Sequence, residues 1–483
     1  MFTNPLNALL IFMITTPVIG WLAHKRRYRK IRDLYAISGL SVTAYFLFEL
    51  YVDVSAKGPL SSCYLPFEAC LQIDMFGVFM AIVYVMIGLL AAVYSVRYME
   101  RDTGLAEYYT LLLGMIAGMM GVVFAGDFFT LFVFWELMSL TSYALVAFRK
   151  KRWAPIEAGF KYLIMSAAGG ATILLAMSFL YGMTGTLNFA NLGATLGSVV
   201  PNEWLYVTLT LVIVGFGVKA AIVPFHTWLP DAHPEAPAPI SALLSGALVQ
   251  TGAYALIRVL LVVFGSVQNA WQMTLMVFAI LTMFIGNLMA LLQDDIKRLL
   301  AFSTIAQMGY ILFGFSIASP QGLTGSLFHI MNHAIIKGLL FLCAGAFVHQ
   351  VGTRDLKKLE GIRRKMPLTS ILLAIGAIAI AAIPPLNGFW SEWLIVLAGV
   401  EAGMLLFSAL MIINVLLSVA YYLRLIYVIV LKEPTPISEK ATEAPRSMLI
   451  PIVVLAALCI IIGLYPGPFI ALAEAAAKAA LSL

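Results

Sequence analysis

Apolar runs of about twenty residues follow one another along the chain with short polar connections between them. About twenty apolar residues is the length an α-helix needs to cross the ~30 Å hydrocarbon core of a bilayer. No water reaches that depth, so each crossing must satisfy its own backbone groups and fold as a helix. The runs lie at 5–23, 34–53, 73–96, 105–125, 128–148, 157–182, 204–224, 240–264, 270–292, 298–317, 324–349, 368–400, 403–431 and 447–471. They predict an all-α polytopic membrane protein of about fourteen transmembrane helices. Composition agrees: 62% of the residues are hydrophobic, 11% are charged and mean hydropathy is +0.95, whereas a soluble domain carries about 25% charged residues. The net charge of +6 reads as an orientation signal in the connections and not as a nucleic-acid surface.

Two runs cannot be straight helices. In Gly215–Pro239, GFGVKAAIVPFHTWLPDAHPEAPAP, Lys219 lies within an apolar helix. Pro224 then removes a backbone donor and clashes with the preceding turn, so span 7 is expected to stop or kink at Pro224. Span 12 is too long for one straight crossing and contains Pro384 and Pro385 followed by Asn387 and Gly388, which predicts a second break. Irregular backbone at membrane depth is tolerated only where it is buried in protein or lines a watery cavity, which marks both breaks as candidate ion sites.

Lys and Arg alternate between connections. They cluster after span 1 (Lys25, Arg26, Arg27, Arg29, Lys30, Arg32), span 3 (Arg97, Arg101), span 5 (Arg149, Lys150, Lys151, Arg152), span 9 (Lys297, Arg298), span 11 (between Arg354 and Lys365) and span 13 (Lys432, Lys440, Arg446). Even-numbered connections hold little beyond Lys57, and the one after span 7 has neither Lys nor Arg. The positive-inside rule then places the odd connections in the cytoplasm and both termini outside. Basic residues follow the first run and do not precede it, which predicts a retained helix and not a cleaved signal. None of the four cysteines has the C-x-x-C spacing of a metal or redox site, which argues against an iron–sulfur cluster. Cys63 and Cys70 share one connection and are expected as free thiols, with a disulfide as the alternative.

Spans 4–8 and 9–13 read as diverged copies of one five-helix unit. Asp127 through Leu145 can be laid on Asp294 through Leu312 without a gap, and Phe160–Gly169 matches Ile336–Gly345. Ala253-Tyr254 precedes Arg258 much as Ala420-Tyr421 precedes Arg424. An odd number of crossings inverts consecutive copies, and such repeats commonly hold a midplane site at broken helices. The chain thus divides into N-terminal helices (1–104), a first repeat (105–264), a second, inverted repeat (270–431) and a C-terminal helix with its tail (432–483).

Seven ionisable residues fall within the runs: Glu136, Lys161, Lys219, His329, His333, Lys337 and Glu392. At about 2.5–3.5 kcal/mol each, seven unpaired charges would cost on the order of 20 kcal/mol, more than the about 5–15 kcal/mol that holds a typical protein folded. They must face the interior, pair, neutralise or meet water. Glu136 and Lys219 are read as a pair that moving the partner or a proton would switch. The alternative, a static pair fixing helix packing, is the weaker reading because buried ion pairs seldom stabilise a fold much. His329, His333 and Lys337 recur at i, i+4 and i+8 on one face of span 11, where the histidines could relay protons, serve as core, or bind a metal. No carboxylate or cysteine accompanies them at ligand spacing. His226 and Asp231, past the first break, are either path residues or caps for freed backbone groups. Arg258 and Arg424 are expected in the cytoplasmic half or middle of their helices, able to bias a field or anchor a partner but not to shuttle protons.

Three stretches carry a resemblance: Gly217 to His233, Asp294-Asp295-Ile-Lys297-Arg298-Leu-Leu-Ala-Phe-Ser303-Thr-Ile-Ala-Gln307-Met-Gly-Tyr310, and His333-Ala-Ile-Ile-Lys337-Gly-Leu-Leu-Phe341. They resemble the antiporter-like membrane subunits shared by respiratory complex I, Mrp-type sodium/proton antiporters and membrane-bound energy-converting hydrogenases. The resemblance covers nearly the whole chain and is strongest from about 105 to 400. It implies fourteen helices, two inverted five-helix repeats and proton translocation along a central hydrated axis. By it, Glu136 is similar to the family's span-5 glutamate, Lys219 to its broken-helix lysine, and His333 and Lys337 to part of its central relay. Glu392 is similar to the position on the second broken helix that carries lysine or glutamate in different members. One departure matters: where the family usually has lysine on span 8, this chain reads Leu248-Val249-Gln250-Thr251-Gly252. Glutamine cannot hold a proton, so at Gln250 the axis must run through water and neighbours. The chain ends soon after span 14, so it resembles members without the long lateral extension of the largest complex I subunit of this kind.

The reading is a proton-translocating membrane subunit of a multisubunit respiratory, Mrp or hydrogenase-type complex in a prokaryotic plasma membrane. Its expected partners are other membrane subunits and protons, with sodium an open second ion; it has no cofactor motif and no redox chemistry of its own. Lys219 is the expected central carrier, Glu136 tunes it, His333 and Lys337 relay and Glu392 lies at the exit, with Lys161, His226, Asp231, Gln250 and His329 as secondary path residues. Two rivals stand beside it: a self-sufficient secondary transporter of a small solute using the same broken helices, and a structural scaffold with inactive buried charges, a reading that Gln250 strengthens.

Overall fold

Residues 4–25, 30–64, 69–198 and 200–482 are described by the computed structural model; Arg26, Arg27 and Arg29 of the first basic connection lie outside them. The chain runs α1 (Asn4–Lys25), α2 (Lys30–Lys57), a hairpin of β1 (Leu60–Tyr64) and β2 (Ala69–Ile73), α3 (Met75–Tyr98), α4 (Leu105–Phe124), α5 (Phe128–Val146), α6 (Trp153–Thr184) and the short α7 (Phe189–Gly197). It continues through α8 (Glu203–Lys219), α9 (Leu229–Glu235), α10 (Ala238–Leu243), α11 (Val249–Val263), α12 (Gln268–Leu291), α13 (Ile296–Ser316) and α14 (Pro320–Val351). The last elements are α15 (Pro367–Ile380), α16 (Asn387–Glu401), α17 (Leu405–Ile426), α18 (Arg446–Leu464) and α19 (Gly467–Leu481). A π turn at Leu244–Leu248 joins α10 to α11. Among the described residues, twelve helices are long and apolar enough to cross a membrane, the joined 238–263 rod counting as one. The hairpin, α7 and α19 were not expected from the apolar runs.

The two remaining apolar runs hold the breaks. α8 ends at Lys219, the backbone turns left-handed at Ala221 (φ +52°), Val223–Pro224 is cis, and helix resumes at Leu229. The expectation that the helix stops at Pro224 is therefore corrected. A residue ahead of proline is pushed out of the helical region, so the chain leaves the helix before the ring is reached. Lys219 is consequently the last residue of α8, at the end where the helix dipole favours a cation, and not a residue within a continuing helix. The second break repeats the pattern: α15 ends at Ile380, Ala382 has φ +54°, Pro384–Pro385 is cis and α16 starts at Asn387.

The centre of the bundle is α13, buried throughout its apolar length, and α14, buried from Gly322 to Phe347. Helices enclosed on all sides belong in the middle of a large bundle, which is how α14 can bear His329, His333 and Lys337 with none of them facing lipid. Around them, α1, α2, α12 and α17 present exposed apolar side chains such as Ile14, Leu34, Val277 and Leu416. Asp127 caps α5 by accepting from the Thr130 N–H (2.7 Å), and Asp295 caps α13 by accepting from the Lys297 and Arg298 N–H groups (2.8 and 3.1 Å). Gly118 of α4 lies against the Met138 backbone of α5, as Gly286 of α12 lies against the Ala306 backbone of α13. The caps set Asp127 beside Asp295, one residue from the sequence alignment of Asp127 with Asp294.

The hairpin register places Cys63 opposite Cys70, and a disulfide joins them. This corrects the expectation of free thiols, since hairpin closure brings the two side chains together. The Cys70 N–H also donates to Asp127 (2.7 Å), tying the hairpin to the start of α5. Next to it, Arg258 of α11 forms a buried ion pair with Asp74, the cap of α3. The far end of α3 carries Arg97, so Arg258 lies at the end of the bundle away from the basic connections and not in the half expected for it. Arg424 does lie at the basic end, paired with Asp294. Removing one partner of a buried pair strands the other and costs about 3–5 kcal/mol. Arg258→Met should therefore lower the thermal unfolding midpoint of the purified protein by several degrees, and adding Asp74→Asn should recover most of the loss. A double variant no more stable than Arg258→Met would contradict this account of the pair.

Candidate functional site

The first break delivers Lys219 into a pocket of hydroxyls and aromatic rings. Its Nζ donates to Tyr162 Oη (3.0 Å) and Ser166 Oγ (2.9 Å) of α6, and lies 4.7 Å from the centre of the Tyr162 ring and 5.9 Å from that of Trp135. Tyr162 stacks on Trp228 at 4.0 Å, and the Trp228 indole N–H donates to the Val218 carbonyl (2.8 Å), which also accepts from the Ala221 N–H at the end of α8 (3.2 Å). Lys219 is 1% exposed, and among the described residues it forms no ion pair. Hydroxyls both donate and accept, so this pocket can solvate a protonated or a neutral amine.

Lys337 of α14 has the same kind of surroundings. Its Nζ donates to Ser303 Oγ, to Tyr422 Oη (3.2 Å) and to the Leu300 carbonyl (3.2 Å). Toward the second break, His329 bonds Gln307 Oε1 through Nε2 (2.7 Å) and Ser391 Oγ through Nδ1 (3.0 Å). The His329 and His333 ring centres are 6.2 Å apart. Glu392, on α16, is buried; among the described residues neither of its oxygens has a partner at hydrogen-bond geometry, and Gln307 is the side chain that reaches toward it.

Between the two lysines lie Gln250, His333 and a residue that sequence reasoning passed over, His233. Gln250 Nε2 donates to the Ile330 carbonyl (3.1 Å) and meets His333 Nδ1 (2.7 Å). An amide nitrogen that donates to a carbonyl must be the NH2 group, so His333 Nδ1 accepts and the ring proton of the neutral form sits on Nε2, which has no partner. Gly252, two residues after Gln250, packs on the backbone at Lys219 and Ala220. His233 stacks on Phe341 (4.8 Å), one turn beyond Lys337, and both its ring nitrogens are buried without a protein partner. Lys297, read from sequence as part of a basic connection, is buried, with its Nζ on the Ala236 and Pro234 carbonyls (2.7 and 3.2 Å). The signal for both was present: His233 lies five residues after Trp228 in the segment after the break, and Lys297 lies in the first turn of an apolar helix.

Other expected site residues stand apart from this row. Glu136 is half-buried on α5 and forms no ion pair with Lys219, although the two are within electrostatic reach; Glu136 faces Gly170 of α6. A direct contact pair is therefore corrected: hydroxyls of α6 take the bonds of the amine, and Glu136 acts on it through space. Lys161 is not buried: it is half-exposed near the start of α6 and pairs with Glu157 (2.8 Å) and Asp231 (3.3 Å). Asp231 also meets Arg298 (3.3 Å), which makes it a surface link between α6, α9 and α13. His226 is half-buried at the break, its Nδ1 without a protein partner.

Buried polar atoms without protein partners are uncommon in folded proteins. Among the described residues, eight such atoms belong to the central group, Gln250 Oε1, His333 Nε2, both nitrogens of His233, Gln307 Nε2, Asn387 Oδ1 and both oxygens of Glu392, and six others, among them Thr130 Oγ1, Arg258 Nη2 and Ser370 Oγ, lie apart from it. Water is the partner such atoms take when protein supplies none.

Residues 125–418 match the family described as NADH:quinone oxidoreductase/Mrp antiporter, and residues 60–109 match the N-terminal region of chain 5 of complex I, NADH-ubiquinone oxidoreductase. The chain is 36% identical to NADH-quinone oxidoreductase subunit N of Desulforudis audaxviator over 78% of each chain. It is 32% identical to F(420)H(2) dehydrogenase subunit N of Methanosarcina mazei over 91% of this chain and 92% of the relative. Its fold superposes on a chain of the membrane-bound sulfane sulfur reductase, an archaeal respiratory membrane complex, with a TM-score of 0.90 at 29% identity, over 99% of this chain and 97% of that one. With its broken helices, buried lysines and these relatives taken together, the chain belongs to the antiporter-like membrane subunit family of complex I and Mrp antiporters.

Proposed function

We propose that this protein is a proton-translocating subunit of a multisubunit membrane complex, moving protons between Lys219 and Glu392 by way of His233, His333, Lys337 and His329. One observation carries the reading: two lysines held by hydroxyls and not by carboxylates, joined by buried polar atoms that lack hydrogen-bond partners among the described residues and that water can satisfy. A lysine locked to a carboxylate stays charged, whereas one in a hydroxyl cage can release its proton and take another. The two broken helices complete fourteen crossings in this reading, and the matching caps and close glycine contacts support two inverted repeats. The basic connections face the cytoplasm of a prokaryotic cell by charge, and the disulfide hairpin at the other end suits an oxidising exterior, with both termini outside. Redox chemistry or a counter-ion gradient in partner subunits supplies the drive.

Proton and sodium flux in sealed vesicles holding the whole complex tests this. Glu392→Gln and Lys337→Ala should each cut proton flux at least about tenfold with assembly unchanged, within the range lost when a positioned proton-transfer group is removed. Full flux in both variants would leave a scaffold role, and solute uptake by the isolated chain would leave a secondary transporter.

A further inference from the structure

At the basic end of the bundle, the α3–α4 and α5–α6 connections enclose a cavity of about 640 Å³. Five cations line it, Arg149, which is paired with Asp102, and Arg101, Lys150, Lys151 and Arg152; among the described residues none of the last four forms an ion pair. In the connection after α14, Arg354, Lys357, Lys358 and Arg364 each meet a carboxylate of the chain itself, and among the described residues Arg363 and Lys365 are its two cations without an ion pair. Charge that serves only to orient the chain needs no cavity, and nothing in this one neutralises it except Glu107 and the already engaged Asp102.

The walls of the cavity are fixed. Arg149 bonds both carboxylate oxygens of Asp102 (3.2 and 3.0 Å), clamping one connection to the other. The side toward the membrane is apolar, formed by Leu111 and Phe148. Trp153, next in sequence to Arg152, is 74% exposed, in the position where indole rings sit at a membrane–water boundary. Helix ends add little, because the starts of α4 and α6 are offset by the ends of α3 and α5. The field comes from the side chains.

We propose that this cavity binds the phosphodiester headgroup of an anionic phospholipid, with Arg101 on one side of the phosphate, Lys150, Lys151 and Arg152 on the other, and the start of an acyl chain along Leu111 and Phe148. The lipid bridges two connections of the first repeat, a role separate from the proton row. Excess positive charge, an apolar wall and a boundary tryptophan together match a lipid headgroup better than a free anion, which needs no apolar wall.

Native mass spectrometry of the full chain, purified with its complex in mild detergent and supplied with phosphatidylglycerol or phosphatidylcholine, tests the site. The native protein should retain at least one more phosphatidylglycerol than the variant Lys150→Gln/Lys151→Gln/Arg152→Gln, whose affinity should fall roughly 100-fold. Lys357→Gln/Lys358→Gln/Arg364→Gln should retain as much as the native chain, and circular dichroism checks that both variants are folded. Equal retention by the 150–152 variant, or equal retention of phosphatidylcholine, overturns the proposal. Displacement of the lipid by millimolar inorganic phosphate would assign a free-anion site in its place, and cross-linking of residues 150–152 to a neighbouring subunit with no lipid retained would assign a protein contact.

Discussion

Lys219→Ala is expected to lower proton flux through the assembled complex by about two orders of magnitude, the scale of loss when a positioned proton donor is deleted. The informative companion is Lys219→Arg. Arginine keeps the positive charge at the end of α8 but does not give up its proton. If Lys219 acts by passing a proton to and from its cage of Tyr162 and Ser166, arginine fails as alanine does. If the site needs only a fixed charge, arginine restores flux. Vesicle flux with both variants, at matched amounts of assembled complex, separates the two, and full flux in Lys219→Arg would end the carrier role assigned here.

The second large effect concerns the place where the family usually has lysine and this chain has Gln250. The amide is committed to Ile330 and His333 and cannot carry a proton. His233, stacked on Phe341 one turn from Lys337 and without a hydrogen-bond partner among the described residues, is the fully buried titratable group on the segment that also carries Trp228 of the Lys219 pocket. His233→Ala should therefore reduce flux by about tenfold or more. Adding Gln250→Lys should return most of it, because an amine beside His333 supplies the proton site that the histidine provided. A normal rate in His233→Ala would make His233 a core residue stacked on Phe341. Loss in the single variant with no recovery in the double would show that the ring is needed for packing and not for transfer.

Much of this protein was legible in its apolar periodicity and its prolines. A run of about twenty apolar residues has one way to satisfy its backbone in lipid, so the membrane helices followed from composition along the chain. Pro224 and the Pro384-Pro385 pair announced both breaks, because proline removes a donor wherever it falls. The i, i+4, i+8 spacing put His329, His333 and Lys337 on one face for the same local reason. Contacts between distant segments were not legible. That Tyr162 and Ser166, and not Glu136, hold Lys219 depends on how α6 lies against α8. The exposure of Lys161 and the burial of Lys297 depend on which helix ends are covered. His233 gained its importance only when α9 packed on α6 and α13 and its ring met Phe341 of α14, and Cys63 met Cys70 only through the hairpin register. Periodicity and proline act within a few residues of the chain and are written in it, whereas the choice of partner for a buried amine is made by packing between helices far apart in sequence, and so only the tertiary structure decided it.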